Sequence, residues 1–308
     1  MSKLDNAVYN LKEKMINSKI GLKIKDTILM SPVCDILYKG MHFFNLTTAS
    51  RADKTFADII QNNVSYFDKN ANRVQNIIAH LEDDTSKEVF KKMIKYRCSF
   101  LKKDHPKFHL YDQYFPSDIV KLTDKEVFID CGAYTGDTIL KFIKYAKNKY
   151  KKIVAFEPDE ENIEKLKSKN IEKCDFIQAA VYNKEGITKF CHDNVLASSS
   201  KLEMTENMPA YLDKNFSEYE VNLKVLDNIP DCQDATFIKM DIEGAELNAL
   251  KGAQNIIRKN HPKLAICIYH SNDDMLNISE WIISLKLDYK LYVRSHFGDH
   301  TETVLYAV

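Results

Sequence analysis

The chain has 308 residues, of which 44% are hydrophobic, enough to build one large domain and a smaller one around packed cores. Lys and Arg together number 44, as do Asp and Glu, so no overall charge attracts nucleic acid or an anionic membrane. The seven cysteines contain no Cys-x-x-Cys pair and no apolar run is long enough for a membrane span, so we expect a cytoplasmic protein without a disulfide framework or a nucleic-acid partner.

Helical patterns dominate the first 120 residues. Val74, Ile77, Ile78 and Leu81 follow helical spacing. Thr85 with Glu88 then predicts a capping box at the start of another helix. We therefore predict an α-helical N-terminal region over residues 1–120. It could cover an acceptor cleft, form a homo-oligomer interface, bind a partner or simply pack on the sheet.

From residue 121 onward, strand and helix patterns alternate, which predicts an α/β domain with a Rossmann-like, mostly parallel sheet. The seven strands are expected near 126–131, 152–157, 174–180, 235–241, 263–269, 289–294 and 302–308. Two short extra strands are expected at 186–190 and 221–225, on either side of a polar stretch. That stretch suggests an acceptor-side loop, although disorder is an alternative.

The first two strands carry the pattern of an adenosine site. The first ends in Asp130 and a turn between Gly132 and Gly136, and the second ends in Glu157-Pro158. A glycine turn lets a cofactor approach the backbone, and an acid at the end of the second strand accepts hydrogen bonds from ribose hydroxyls.

The turn itself separates two kinds of adenosine cofactor. A dinucleotide turn needs a glycine where this chain has Tyr134, between Ala133 and Thr135. S-adenosylmethionine has no phosphate, and its sulfonium cation suits an acid and an aromatic ring. The residues therefore favour S-adenosylmethionine as cofactor.

Three further side chains follow strands at the edge where open α/β sheets bind ligands. Asp241 ends the fourth strand, His270 follows the fifth and His296 follows the sixth. Because histidine titrates near neutral pH, we predict His270 as a general base, with His296 as the second choice.

With these elements in order, the chain resembles the FkbM family of S-adenosylmethionine-dependent methyltransferases. The segments that carry the resemblance are 128–133 with 136–137, 156–159, 179–181, 239–246 and 250–253. The resemblance covers residues 121–308. It implies a seven-stranded methyltransferase sheet with an antiparallel last strand, and methylation of a hydroxyl on a sugar, glycan or other natural product.

Each predicted site residue has an expected role. Asp130 should lie near the amino acid end of the cofactor, Glu157 at the ribose, and Ala179 and Ala180 at the adenine. Asp241 could orient the acceptor, assist His270, or bind Mg²⁺ with Glu243. Since the sequence offers two acids and no convincing third ligand, we expect no metal.

Two other functions stay open. A nicotinamide-dependent oxidoreductase would keep Glu157 but needs the glycine that Tyr134 replaces. A non-catalytic adapter would keep the fold with a relic cofactor pocket and would tolerate loss of His270.

Overall fold

The computed structural model describes residues 52–108, 112–193, 201–202, 216–297 and 302–308. The chain divides into two compact units, residues 1–64 and 65–308. In the first unit, the described residues belong to helix α1, which spans Ala52–Lys69. None of the helices in the described ranges combines the length and apolar character that crossing a bilayer requires.

Two amphipathic helices precede the sheet, α2 (Ala71–His80) and α3 (Asp84–Ser99). The predicted stripe on α2 is confirmed, because its members at 74, 77 and 78 are buried. The predicted capping box is wrong. Asp83 caps α3 by accepting a hydrogen bond of 2.7 Å from the N–H of Ser86, and Thr85 lies inside the helix. Asp is among the preferred N-cap residues. Asp83 and Ser86 form an Asp-x-x-Ser pattern that begins two positions before the predicted cap at Thr85.

The main sheet has seven strands in the order β10-β11-β9-β8-β1-β2-β3. Their bounds are β1 Val127–Cys131, β2 Lys152–Phe156, β3 Cys174–Ile177, β8 Phe237–Met240, β9 Lys263–Cys267, β10 Leu291–Ser295 and β11 Thr303–Ala307. The strands are parallel except β11, which runs antiparallel to both β9 and β10. The predicted fold class is confirmed, including the antiparallel last strand.

Helices cover both faces of this sheet. Successive side chains of its buried strands point alternately into two apolar cores, one on each face. The helices between the strands are α4 Asp137–Tyr145, α5 Glu160–Lys167, α6 Glu246–Lys251, α7 Gln254–Asn260 and α8 Asn272–Ser284. In β1, Val127, Ile129 and Cys131 join one apolar core, whereas Phe128 stacks on Phe142 of α4 in the other. This alternation is the period of two that a strand imposes on its side chains.

A second sheet, in the order β4-β7-β5-β6, is inserted between β3 and β8. Its strands are β4 Ala180–Val181, β5 Gly186–Asp193, β6 Lys201–Leu202 and β7 Phe216–Lys224. The two short strands predicted here are confirmed as parts of β5 and β7. The predicted third strand is too long by three residues, because Ala180 leaves the main sheet to pair with Leu223. The serine-containing part of the polar stretch, 198–200, lies outside the described residues.

Helix α3 and the segment before β1 form hydrogen bonds and ion pairs with strand β10. Ser86 accepts a hydrogen bond of 2.9 Å from the N–H of Val293, and Arg294 pairs with Asp83 at 2.7 Å and with Asp118 at 2.9 Å. The described residues from 65 to 120 thus belong to the same compact unit as the sheet. The predicted domain boundary at residue 120 stays a prediction.

Candidate active site

A cavity of about 210 Å³ lies at the carboxyl ends of β1, β2 and β8. Of the residues predicted to form the site, those that line it are Gly132, Tyr134, Glu157, Pro158, Ala179, Ala180 and Asp241. Those that do not are Asp130, Ala133, Thr135, Gly136, His270 and His296. Seven of the predicted residues therefore line the cavity, and the other six lie outside its wall.

The glycine turn after β1 needs its glycines for both conformation and space. Gly132 has a φ of +78°, and a Cβ on it would lie 1.9 Å from the carbonyl oxygen of Asp241. Gly136 has a φ of +89°, and its Cβ would lie 2.4 Å from the side chain of Leu166. Tyr134, between them, projects an exposed ring at the cavity mouth. The turn thus brings the backbone of β1 against that of β8 and leaves an aromatic face for a ligand.

The carboxylate of Glu157 is held at the cavity by two backbone groups. It accepts hydrogen bonds from the N–H of Tyr134 at 2.8 Å and of Asp159 at 3.0 Å. Burial nevertheless raises its pKa to about 7. Asp159 in turn accepts 2.6 Å and 2.8 Å hydrogen bonds, from the hydroxyl of Tyr219 in β7 and from the N–H of Asn162 in α5. The predicted ribose acid therefore faces the cavity in an orientation that the second sheet helps to fix.

Asp130 is not among the residues that line the cavity, and its expected place near the amino acid end of the cofactor stays a prediction. Its side chain is fully buried and pairs at 3.0 Å with the ammonium of Lys239, its register partner on β8. Burial raises the pKa of Asp130 to about 6, and the charge of Lys239 opposes that shift. Lys239 lines the cavity and also donates a 2.7 Å hydrogen bond to the carbonyl of Gly132. The sequence analysis did not predict a role for Lys239. The available signal was a single lysine inside the otherwise apolar strand β8, and the structure places it opposite Asp130.

Asp241 is the acid at the centre of the site. Its carboxylate accepts hydrogen bonds from the hydroxyls of Tyr114 at 2.8 Å and Tyr269 at 3.1 Å, and lies 3.3 Å from Nε2 of His270. Burial would raise the pKa of Asp241, but the interaction with the nearby His270 and the charge of Lys239 outweigh burial and lower it. Asp241 is therefore an ionised acceptor of hydrogen bonds.

His270 is surrounded by carboxylates. Besides Asp241, Oε1 of Glu246 lies 3.1 Å from its Nε2 and Oε2 of Glu243 lies 3.4 Å from its Nδ1. Burial alone would lower the pKa of His270, but Glu246 and Asp241 raise it well above the usual value. A general base must be neutral to accept a proton, so this environment opposes the predicted role. Asp241, Glu243 and His270 are also close enough to share a metal ion.

His296 does not reach the cavity. Its ring is buried, with Nε2 at 2.8 Å from the hydroxyl of Tyr306 and Nδ1 at 3.7 Å from Asp112. The Tyr306 hydroxyl also accepts a 3.0 Å hydrogen bond from the N–H of Tyr114. His296 thus supports the segment that carries Tyr114 and is not among the residues that line the cavity, and its role as second-choice base stays a prediction.

Several other wall residues also come from outside the predicted set, among them Gln113, Tyr114 and Glu302. Tyr114 and Gln113 precede β1, and Glu302 precedes β11. Gln113 donates a hydrogen bond to Glu302 across the cavity mouth. Tyr114 belongs to a segment rich in aromatic residues, 109–116, but the contact of Tyr114 with Asp241 depends on a pairing that the local sequence does not show. Residues 109–111 of this run lie outside the described residues.

Comparisons with known proteins agree with this geometry. Residues 130–291 match the family model described as Methyltransferase FkbM domain. The crystal structure of an FkbM methyltransferase from Methylobacillus flagellatus KT is 25% identical, with a TM-score of 0.66 over 79% of this chain and 60% of that chain. This chain therefore spans about 60% of the length of that relative.

Other solved structures are more distant. Aeropyrum pernix fibrillarin, solved with natively bound S-adenosyl-L-methionine, is 10% identical, with a TM-score of 0.37 over 62% of this chain and 70% of that chain. A precorrin-6y C5,15-methyltransferase from Geobacter metallireducens is 12% identical, with a TM-score of 0.36 over 61% and 80%. At these scores neither carries an argument. No curated protein matches the sequence.

Proposed function

The chain belongs to the FkbM methyltransferase family, and from this premise we propose that it is an S-adenosylmethionine-dependent methyltransferase acting on a hydroxyl of a sugar, glycan or other polyol-like acceptor. The observation that carries the choice of a hydroxyl is the carboxylate of Asp241. It is ionised, lies at the cavity wall and is held by two tyrosine hydroxyls. A carboxylate in that state accepts a hydrogen bond from an incoming hydroxyl.

The cavity wall has the groups that this cofactor needs. Glu157 faces the cavity to accept hydrogen bonds from the ribose, and the backbone at Ala179 and Ala180 lies along the wall for the adenine. Lys239, whose ammonium lies between Asp130 and the carbonyl of Gly132, is the cation that we assign to the methionine carboxylate. When bound, S-adenosylmethionine supplies an electrophilic methyl group on a sulfonium sulfur.

The residues around Asp241 would act mainly by positioning. The acceptor oxygen forms its bond to the methyl carbon as the bond from carbon to sulfur breaks, and sulfur keeps the electron pair. The products are a methyl ether, S-adenosylhomocysteine and a proton. Holding the hydroxyl in line with the methyl group supplies most of the acceleration in such a displacement, and the fixed carboxylate of Asp241 suits that task.

We propose His270 as the group that accepts the proton of the hydroxyl. His270 as general base stays a prediction, and it requires the imidazole to lose its proton while three carboxylates stabilise the charged form. A His270→Gln variant tests it directly. The acidic limb of the pH–rate profile should vanish if His270 is the base, whereas an unchanged limb would assign the proton to another group.

Methyl transfer from radiolabelled S-adenosylmethionine to a panel of glycosides tests the function. We expect labelled methyl ethers from the wild type, strong loss of turnover in Asp241→Asn, and wild-type turnover in the control Glu161→Gln, a change on the exposed face of α5. Label found only on amine or thiol acceptors would contradict a hydroxyl acceptor. Firm binding of NADH with no uptake of S-adenosylmethionine would support the oxidoreductase alternative instead.

The proposal extends to the setting of the enzyme. We place it in the cytoplasm, with a small molecule or glycan as its partner, no nucleic acid, and a homo-oligomer formed through the N-terminal helices. Light scattering after size exclusion tests the assembly, since a monomeric mass at micromolar concentration would remove the oligomer from the proposal.

A further inference from the structure

We propose that Asp241, Glu243 and His270 bind one divalent cation of the Mn²⁺ or Mg²⁺ class at the inner wall of the cavity. The three residues come from neighbouring positions at the carboxyl edge of the sheet. Asp241 follows β8, Glu243 lies in the turn before α6, and His270 follows β9, which pairs in parallel with β8. The role of the ion in catalysis rests on the proposed function, whereas its binding does not.

Distances within the cluster suit a shared ion. One ligand atom from each residue lies within 4.8 Å of the other two. Nε2 of His270 is 3.3 Å from Oδ1 of Asp241, and adjacent ligands around an ion with bonds of about 2.0 to 2.2 Å lie about 3 Å apart. Glu243 is 23% exposed, so rotation of its side chain can bring its carboxylate the remaining distance.

The buried imidazole of His270 independently indicates that an ion binds at this cluster. The side chain is only 4% exposed, and its Nε2 has no hydrogen-bond partner among the described residues despite two carboxylate oxygens within 3.3 Å. Buried polar nitrogens are normally satisfied, and one left without a bond calls for an explanation. A metal ion held jointly by Nε2 and the nearby carboxylate of Asp241 provides it.

The local charge balance also calls for a cation. The charged groups that interact with the cluster, directly or through one neighbour, include the carboxylates of Asp130, Asp241, Glu243, Glu246 and Asp274 and the basic groups of Arg97, Lys239 and His270. Because a histidine that binds a metal ion is neutral, the five carboxylates exceed the two remaining cations by three. S-adenosylmethionine brings one net positive charge. A divalent ion removes the rest of an imbalance that is costly in a largely buried site.

The donor set indicates the class of ion. Carboxylates suit Mg²⁺ and Mn²⁺, and the imidazole shifts the preference toward Mn²⁺. Glu246 is less available as a ligand, because it accepts hydrogen bonds from the N–H groups of Ile242 at 2.7 Å and Gly244 at 3.0 Å. An ion at Asp241 would polarise the acceptor hydroxyl and lower its pKa, so that the hydroxyl loses its proton more readily.

Direct titration with Mn²⁺, followed by electron paramagnetic resonance, tests the site without any methyl transfer. The purified full chain is first stripped with EDTA. We expect one Mn²⁺ per chain in the wild type and in the control Glu161→Gln, and at least tenfold weaker binding in Glu243→Gln. Equal affinity in all three proteins, or no binding to the wild type, would overturn the inference.

If Glu243→Gln fails to fold, pulsed electron paramagnetic resonance on the wild-type protein still tests the site. A bound Mn²⁺ should show coupling to a ¹⁴N nucleus from His270. Bound Mn²⁺ without nitrogen coupling would place the ion elsewhere and overturn the assignment.

The two proposals fail in different ways. Full methyl transfer by stripped protein that binds no Mn²⁺ would remove the metal site and leave the methyltransferase function. Mn²⁺ bound through Glu243 and His270, in a protein that transfers no methyl group to any hydroxyl, would leave the metal site and remove the proposed function.

Discussion

The ammonium of Lys239 lies 3.0 Å from Oδ1 of Asp130, and neither side chain is more than 2% exposed. The two residues are directly opposite each other on β8 and β1. Their charges are therefore removed from water together, immediately beneath the glycine turn. Such a pair contributes little net stability compared with apolar residues, but it is costly to break from one side.

Asp130→Asn should lower the free energy of unfolding by about 3 to 5 kcal/mol, because it leaves the charge of Lys239 buried without a partner. The double variant Asp130→Asn/Lys239→Met should recover much of that loss while lowering affinity for S-adenosylmethionine. Urea unfolding and calorimetry measure the two effects. A single variant as stable as the wild type would show that Lys239 finds another counter-ion.

Affinity for S-adenosylmethionine should rise with pH through the titration of Glu157. Burial raises the pKa of this carboxyl to about 7, so below that pH it is protonated and accepts hydrogen bonds from the ribose less well. Between about pH 6 and 8 the wild type should gain up to about tenfold in affinity, by linkage between ionisation and binding. Calorimetry on Glu157→Gln should show weaker binding without this rise, and Glu161→Gln should keep it. A flat wild-type profile would contradict the assignment.

Gly132→Ala should destabilise the protein by about 3 kcal/mol or more, because a methyl group would overlap the backbone of β8 in addition to the strain of a positive φ. Gly186 is a matched control, since it also has a positive φ but a Cβ there meets nothing within 4 Å. Gly186→Ala should cost about 1 to 2 kcal/mol, the strain of an unfavourable φ alone. Equal losses in thermal unfolding would mean that the strand contact at Gly132 relaxes without cost.

The pairing of Asp83 with Arg294 should stabilise the fold in a pH-dependent way. Burial opposes ionisation of Asp83, but hydrogen bonds from Arg294 and from Ser86 lower its pKa to about 2. A lowered acid pKa gives stability that is complete above about pH 4 and is lost as the pH falls toward 2. Because Asp83 is 36% exposed, solvent screening limits the contribution to about 1 kcal/mol.

Asp83→Asn isolates this charge, because Asn is also a good N-cap residue. Urea unfolding should show the variant less stable than the wild type at pH 6 and equal to it near pH 2. Asp124→Asn, at an exposed position before β1, serves as the control and should match the wild type at both. A difference that persists at the lowest pH would assign the loss to the cap and not to the ion pair.

The sequence predicted the sheet well because each strand is specified locally. Val127–Cys131 is buried along its whole length and is apolar except for Asp130, and such runs indicate parallel strands covered on both faces. The end of β3 was harder to predict. Whether Ala180 continues the main sheet or joins the second depends on Leu223, which local patterns do not connect to it.

The sequence predicted where the cavity lies better than it predicted which side chains contact one another there. The spacing of strand ends placed Glu157 and Asp241 at one edge correctly. The environment of His270 could not be read in the same way, because its carboxylate neighbours come from a different loop. The same holds for Lys239, whose significance depends on the register between two strands.

The hydrogen bond from Tyr219 to Asp159 has a consequence for how this enzyme can diversify. It joins the middle of the β5–β7 ladder, where Tyr219 lies opposite Phe190, to the loop that follows Glu157, and the pairs from Cys191 to Asp193 lie beyond that bond. Insertions or replacements beyond that bond would leave the Glu157 loop undisturbed. Descendants of such a chain could therefore remodel the outer part of the β5–β7 ladder and keep the loop around Glu157 unchanged.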